Sequence, residues 1–148
     1  LEPSELGAAF GLEQLKKLKS FLKKRRDIFQ SHIKFFTKYQ NYFDLPIQTK
    51  NTSTAWLAFP MCIKDKSKFT RSQLQIFLEK RNIQTRVVFT GNILRQPGFK
   101  FLNKKSYNFP EADRVMKNGF LIGCHQGMTD KMLYHLYNSF DEFLKKFI

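Results

Sequence analysis

The residue pattern predicts an α+β or two-layer α/β fold: a small sheet with helices packed on it, preceded by one long connecting helix. Three observations predict it. Apolar residues recur at helical spacing through the opening of the chain, β-branched and aromatic residues gather in short later runs, and helical segments with capping residues separate those runs. The order is long helix, strand, helix, strand, loop, helix, strand, helix. Short strands in that order must bury a face against helices.

The first helix rests on Leu15, Leu18, Leu22, Phe29, Ile33 and Phe36, spaced by three, four or seven. Ser4 after Pro3 reads as its N-cap and Asp44-Leu45-Pro46 as its end, which divides the chain into a connecting helix over 1–45 and a small domain over 46–148. A helix of that length cannot bury its whole apolar stripe against so small a domain. The small residues in Leu6-Gly7-Ala8-Ala9-Phe10-Gly11-Leu12 allow close packing against another part of a larger protein, and a chain opening on Leu1 rather than Met fits an internal start.

Thr54 to Ile63 reads as a strand, with Pro60 removing a ladder donor and so placing it at an edge or a bulge. Thr70 with Gln73 forms a capping box, Phe69 with Leu74 a hydrophobic staple, and Asn82 a helix stop. Ile83 to Phe89 alternates as a strand, with Ile83, Thr85, Val87 and Phe89 on one face, and runs directly into a polar loop. Gly91 there supplies a backbone free to take positive φ, and Pro97 ends regular structure. Phe99 to Tyr107 is basic and irregular. Pro110, Glu111 and Asp113 open a helix that Asn118-Gly119 closes, and Phe120-Leu121-Ile122 is a short strand. Thr129 and Asp130 start the last helix, with Met132, Leu133, Leu136, Phe140, Phe143 and Phe147 at helical spacing.

With 148 residues, 42% of them apolar and seventeen of them Phe, the chain can bury one core. It has no apolar run long enough to span a membrane and no export signal, so a cytoplasmic location is expected. The net charge of +14 raises a free-standing basic nucleic-acid-binding module as one reading. Against it, 19 of the 26 basic residues are Lys, which meets phosphate as a point charge without the planar fork of Arg. Cys62 and Cys124 show no metal-ligand spacing, and His32 and His135 read as polar or half-buried helix residues. No nucleophile elbow or phosphate-cradling glycine loop is present. The residues able to touch a ligand, Arg86, Asn92, Arg95, Gln96 and His125, follow strands, where loops carry function. From the residues alone, the reading stops at a binding subdomain.

Three stretches add a resemblance: Glu5 to Leu15; Thr85-Arg86 with Gly91-Asn92 and Arg95-Gln96-Pro97; and Gly119 to Thr129. Together they resemble the C-terminal part of the DegT/StrS sugar aminotransferase family, and within it the CDP-4-keto-6-deoxyglucose 3-dehydrases of lipopolysaccharide O-antigen biosynthesis. The resemblance covers nearly the whole chain, and the Gly-Asn and Arg-Gln-Pro loop is its more specific part. It implies the small C-terminal domain of a type-I-fold PLP enzyme, inactive in isolation. The parent would use pyridoxamine or pyridoxal phosphate to remove the C3 hydroxyl of a nucleotide-linked 4-keto sugar, with a histidine of the large domain in place of the usual cofactor lysine.

On that resemblance this chain holds no cofactor itself, and an iron–sulfur cluster in the parent stays open. Its partners would be the large cofactor-binding domain of the same parent chain, a nucleotide-sugar substrate and a second subunit of a homodimer, with no membrane and no specific nucleic acid. Arg86 would face the interdomain cleft, Asn92, Arg95 and Gln96 would shape its wall, and His125 is a further substrate-binding candidate. Gln84 and Gln126 depart from the acidic residue and the Pro or His that the pattern has beside these motifs. The same domain of a PLP-dependent sugar-nucleotide aminotransferase remains the alternative.

Overall fold

Helix α1 (Glu5–Phe36) is 32 residues long, and its two halves have different fates. The second half buries Ile28, Phe29, His32 and Phe36, while Leu6, Phe10, Leu15 and Leu18 in the first half stay exposed. The apolar stripe therefore continues past the end of the body that covers it. The structure, a computed structural model, describes residues 4–102 and 108–147. Part of the irregular segment expected from Phe99 to Tyr107, namely 103–107, lies outside the described residues.

The first helix ends at Phe36 rather than near Asp44–Pro46. Thr37 Oγ1 bonds back to Ile33 O at 2.7 Å, and one 3₁₀ turn (Thr37–Tyr39) swings the chain around. The turn lets Tyr39 bury its ring and donate to Asp141 Oδ1 at 2.5 Å, and it brings Phe43 into register with Ile63. A short strand absent from the sequence reading, β1 (Phe43–Asp44), results.

The sheet is antiparallel throughout, in the order β1–β2–β4–β3, with β2 at Ala58–Ile63, β3 at Arg86–Val87 and β4 at Gly119–Gly123. Strand β2 lies between two neighbours, but β1 reaches only Cys62 and Ile63, so at Pro60 the strand is locally an edge. The alternation of ladder direction explains how proline is accepted there. Lys64 N donates to Tyr42 O at 2.9 Å, toward β1, and Pro60 shares its parity, so the missing donor points to the side without a partner.

Strand β3 is far shorter than the alternation over Ile83 to Phe89 suggests. Phe89 takes a φ of +44°, which an aromatic side chain adopts only when its surroundings impose it, and the ladder stops before it. Gly91 follows at +63°, and a Cβ there would sit 2.4 Å from that of Met116. Pro97 starts a 3₁₀ stretch (Pro97–Leu102) rather than ending regular structure.

The remaining helices follow their caps. Helix α2 (Arg71–Glu79) carries the full Thr70–Gln73 capping box, and Asn82 beyond it is left-handed at φ 59°. Helix α3 (Pro110–Asn118) has Pro at its first position, and α4 (Asp130–Leu144) is capped by Thr129, whose side chain accepts from Met132 N. Phe43, Phe59, Met61, Ile63, Phe120 and Ile122 turn toward α1, α2 and α4 and form one aromatic core with Phe36, Phe69, Phe140 and Phe143. Residues of the opposite parity meet α3: Arg114 Nη1 donates to Asp44 Oδ2 at 2.7 Å and lies 3.4 Å from Cys62 Sγ.

At the centre of the core, His32 is completely buried rather than half-buried. Its Nε2 lies 2.8 Å from Gly123 O, which can only accept, so Nε2 donates; Nδ1, 2.9 Å from the Tyr137 hydroxyl, then accepts. Burial pushes the imidazole down to about 4 from 6.5, the Gly123 carbonyl opposing in part. Between those values the unfolded chain takes up a proton that the folded one refuses. The contribution is therefore fully present above about pH 6.5 and lost as pH falls toward 4, on the order of 3 kcal/mol in all. Urea unfolding across that range should show a steeper acid-side loss in the parent than in His32→Gln; equal slopes would clear His32 of this role.

Candidate functional site

A groove of about 540 Å³ opens where the Asn82–Gln84 segment and β3 run beside the end of β4 and the first turns of α4. Ile83, Leu121, Met128, Met132 and Leu136 give it an apolar lining, and Arg86, His125, Lys131 and His135 its polar groups. Among the described residues no carboxylate lines it. An apolar cleft of this size with a few convergent polar groups suits a small ligand, and the cations bias it toward an anionic one.

Arg86 reaches the groove because β3 pairs it with Leu121 at the outer edge of the sheet. Thr85, the preceding residue, is buried and anchored by Gln75 Nε2 at 2.9 Å, so the backbone behind Arg86 is fixed. The guanidinium makes no hydrogen bond or ion pair with any described residue. His125 comes from the turn after β4. Gly127 N donates to its Nδ1 at 3.2 Å, which leaves Nε2 to carry the proton of the neutral ring.

Asn92, Arg95 and Gln96 lie elsewhere and are engaged within the protein. Arg95 makes a two-pronged contact with Asp113, Nε to Oδ1 at 3.0 Å and Nη2 to Oδ2 at 2.7 Å. Asn92 Nδ2 donates to the same carboxylate at 2.8 Å, and its Oδ1 caps Leu94 N at 3.1 Å. Gln96 Nε2 donates to Thr90 O at 2.8 Å and closes the loop on itself. The Arg95 fork, then the Asn92 bond, hold the Asp113 carboxyl down at about 2. Of the five residues singled out from sequence, the structure joins Arg86 and His125 in one groove, engages Asn92 and Arg95 in a clamp between the loop and α3, and ties Gln96 back within the loop.

The sequence reading missed Asp113 as the clamp's anchor, because an acid in a first helical turn is already accounted for by the helix dipole. Met132 shares the helical spacing of Leu136 and Phe140, yet it is 49% exposed and lines the groove. Helical spacing marks a face without saying what covers it. Lys131 and His135, on neighbouring positions of α4, carried no separate signal. Cys62 and Cys124 are buried free thiols, and burial pushes the Cys124 thiol up to about 11, so neither is poised for reaction or ligation. Without a carboxylate to pair a pyridine nitrogen, the groove's residues do not by themselves fit a pyridoxal-type cofactor.

Residues 3–141 match the DegT/DnrJ/EryC1/StrS aminotransferase family. The chain belongs to this family. It is 31% identical to the lipopolysaccharide biosynthesis protein RfbH of Salmonella typhimurium, over 97% of this chain and 33% of that protein. It is likewise 31% identical to the GDP-4-keto-6-deoxy-D-mannose 3-dehydratase of Yersinia pseudotuberculosis, over 93% of this chain and 35% of that one. The solved Escherichia coli GDP-4-keto-6-deoxy-D-mannose-3-dehydratase with bound hydrated PLP superposes with a TM-score of 0.79 at 30% identity, covering 94% of this chain and 36% of that structure. The chain spans about a third of the length of the curated relatives it matches. The small antiparallel sheet with its helices corresponds to about a third of that aminotransferase-fold structure.

The clamp yields a direct expectation. In Asp113→Asn, Arg95 loses its two-pronged partner while the core is untouched, so amide exchange at Leu94 to Gln96 should rise roughly tenfold with little change in global melting. Unchanged exchange in that loop would mean that the clamp does not hold it.

Proposed function

We propose that this chain is the small, substrate-facing domain of a nucleotide-sugar 3-dehydratase that uses pyridoxamine phosphate in lipopolysaccharide O-antigen biosynthesis, and that it is inactive alone. The observation that carries this reading is the Arg86 guanidinium, within the Thr-Arg motif and without a hydrogen-bond or ion-pair partner among the described residues, sharing an apolar groove with His125. The likeness to 3-dehydratases along more than nine-tenths of the chain supports it.

In this reading Arg86 holds a phosphate or sugar oxygen by paired charge-assisted bonds, and His125 offers its Nε2–H to a sugar oxygen. Ile83, Met132 and Leu136 exclude water around them. The cofactor and the proton-abstracting residue belong to the remainder of a full-length cytoplasmic homodimer, and the substrate is a CDP-linked 4-keto-6-deoxyhexose. Family membership over residues 3–141 supports this over a free-standing nucleic-acid module. Whether the parent is a dehydratase or an aminotransferase turns on a His or a Lys at its cofactor position, outside this chain.

In the parent enzyme, Arg86→Lys keeps the charge but loses the planar fork, and should lower kcat/KM by about tenfold to several hundredfold at nearly unchanged melting temperature. An unchanged kcat/KM would return Arg86 to an ordinary surface charge. The chain by itself should bind neither PLP nor pyridoxamine phosphate in a fluorescence titration; saturable binding at micromolar concentration would count against the proposed division of labour.

A further inference from the structure

The turn that carries His125 is gripped by α1 on both sides of that residue. Before it, Gly123 O accepts from His32 Nε2 at 2.8 Å, and Cys124, fully buried, directs its thiol to Arg25 O at 3.6 Å. After it, Arg25 Nε donates to Gln126 Oε1 at 2.9 Å. Arg25 thus engages the turn twice, once through its backbone and once through its side chain. Between these anchors only His125 faces outward, exposed and lining the groove.

The three contacts differ in what they fix. The thiol is a weak donor, and the His32 bond sets the end of β4 rather than the turn beyond it. The Arg25–Gln126 bond is charge-assisted and holds the peptide units that bring Gly127 N to His125 Nδ1 at 3.2 Å. That last bond selects the ring tautomer. We infer that Gln126 is a positioning residue, held by Arg25 so that His125 presents a fixed ring with its proton on Nε2 to the groove. The inference deepens the reading of the groove as substrate-facing and rests on it. Because Arg25 belongs to the same helix as the exposed Leu6–Leu18 stripe, a shift of α1 reaches His125 through this contact.

The test compares Gln126→Leu, which removes the acceptor, with Gln126→Glu, which keeps one, in the enzyme that contains this chain. Gln126→Leu should lower kcat/KM about tenfold, and Gln126→Glu should stay near the parent. Arg25→Met removes the same bond from the other side and should reproduce the loss, with no further loss in the double variant. Nitrogen-15 shifts of the neutral His125 ring give a readout independent of turnover. The two ring nitrogens should be widely separated in the parent and in Gln126→Glu, and should converge in Gln126→Leu and Arg25→Met as the tautomers average. Parent-like ring shifts in both Gln126→Leu and Arg25→Met would overturn the inference, even if one of them lost activity by misfolding. Should Arg86→Lys prove neutral, the substrate reading of the groove falls, while the ring shifts still decide whether Gln126 positions His125.

Discussion

One buried imidazole sets the relation of three elements that are remote in sequence. His32 on α1, itself fully buried, reaches the last residue of β4 through one nitrogen and Tyr137 of α4 through the other. Both polar partners depend on it, because Gly123 O and the Tyr137 hydroxyl would each lose a part-buried bond if an apolar ring of similar size took its place. Phe36 and Phe59 pack around the imidazole at 6.3 and 5.0 Å between ring centres, so its position is fixed by sterics as well as by polarity. The groove inherits that precision, since its His125 turn begins at the residue His32 holds.

What could be read from sequence, and what could not, divides by the range of the interaction. The Thr70–Gln73 box, the left-handed Asn82 and Gly91, and the proline start of α3 were legible because each is decided within a few residues. The end of α1 was not, because the chain leaves the helix to satisfy Asp141 and to pair with Ile63, neither of which local spacing reveals. The site behaves the same way. Arg86 and His125, singled out from their motifs, share one groove, but Asn92 and Arg95 look equally suited to a ligand until Asp113 is seen to occupy both.

The clamp and the groove lie at successive points of one backbone path. Strand β3 contributes only Arg86 and Val87, and the chain then turns at Phe89 and Gly91 into the loop that Asp113 holds. So short a strand has little stiffness of its own. Thr85 fixes it from behind and the Arg95–Asp113 pair from ahead, and Arg86 is steadied by contacts in which its own side chain takes no part.

Pro60 bears on how copies of this sheet meet one another. Beyond the two residues covered by β1, the outer side of β2 has no ladder partner among the described residues, and an unpaired strand edge is the surface on which a second chain can add a ladder. The nitrogen that a newcomer would have to find there belongs to proline and carries no hydrogen. Among the described residues the fold thus leaves one side of its central strand without a ladder partner at Pro60 while denying it the regular row of donors on which edge-to-edge aggregation grows.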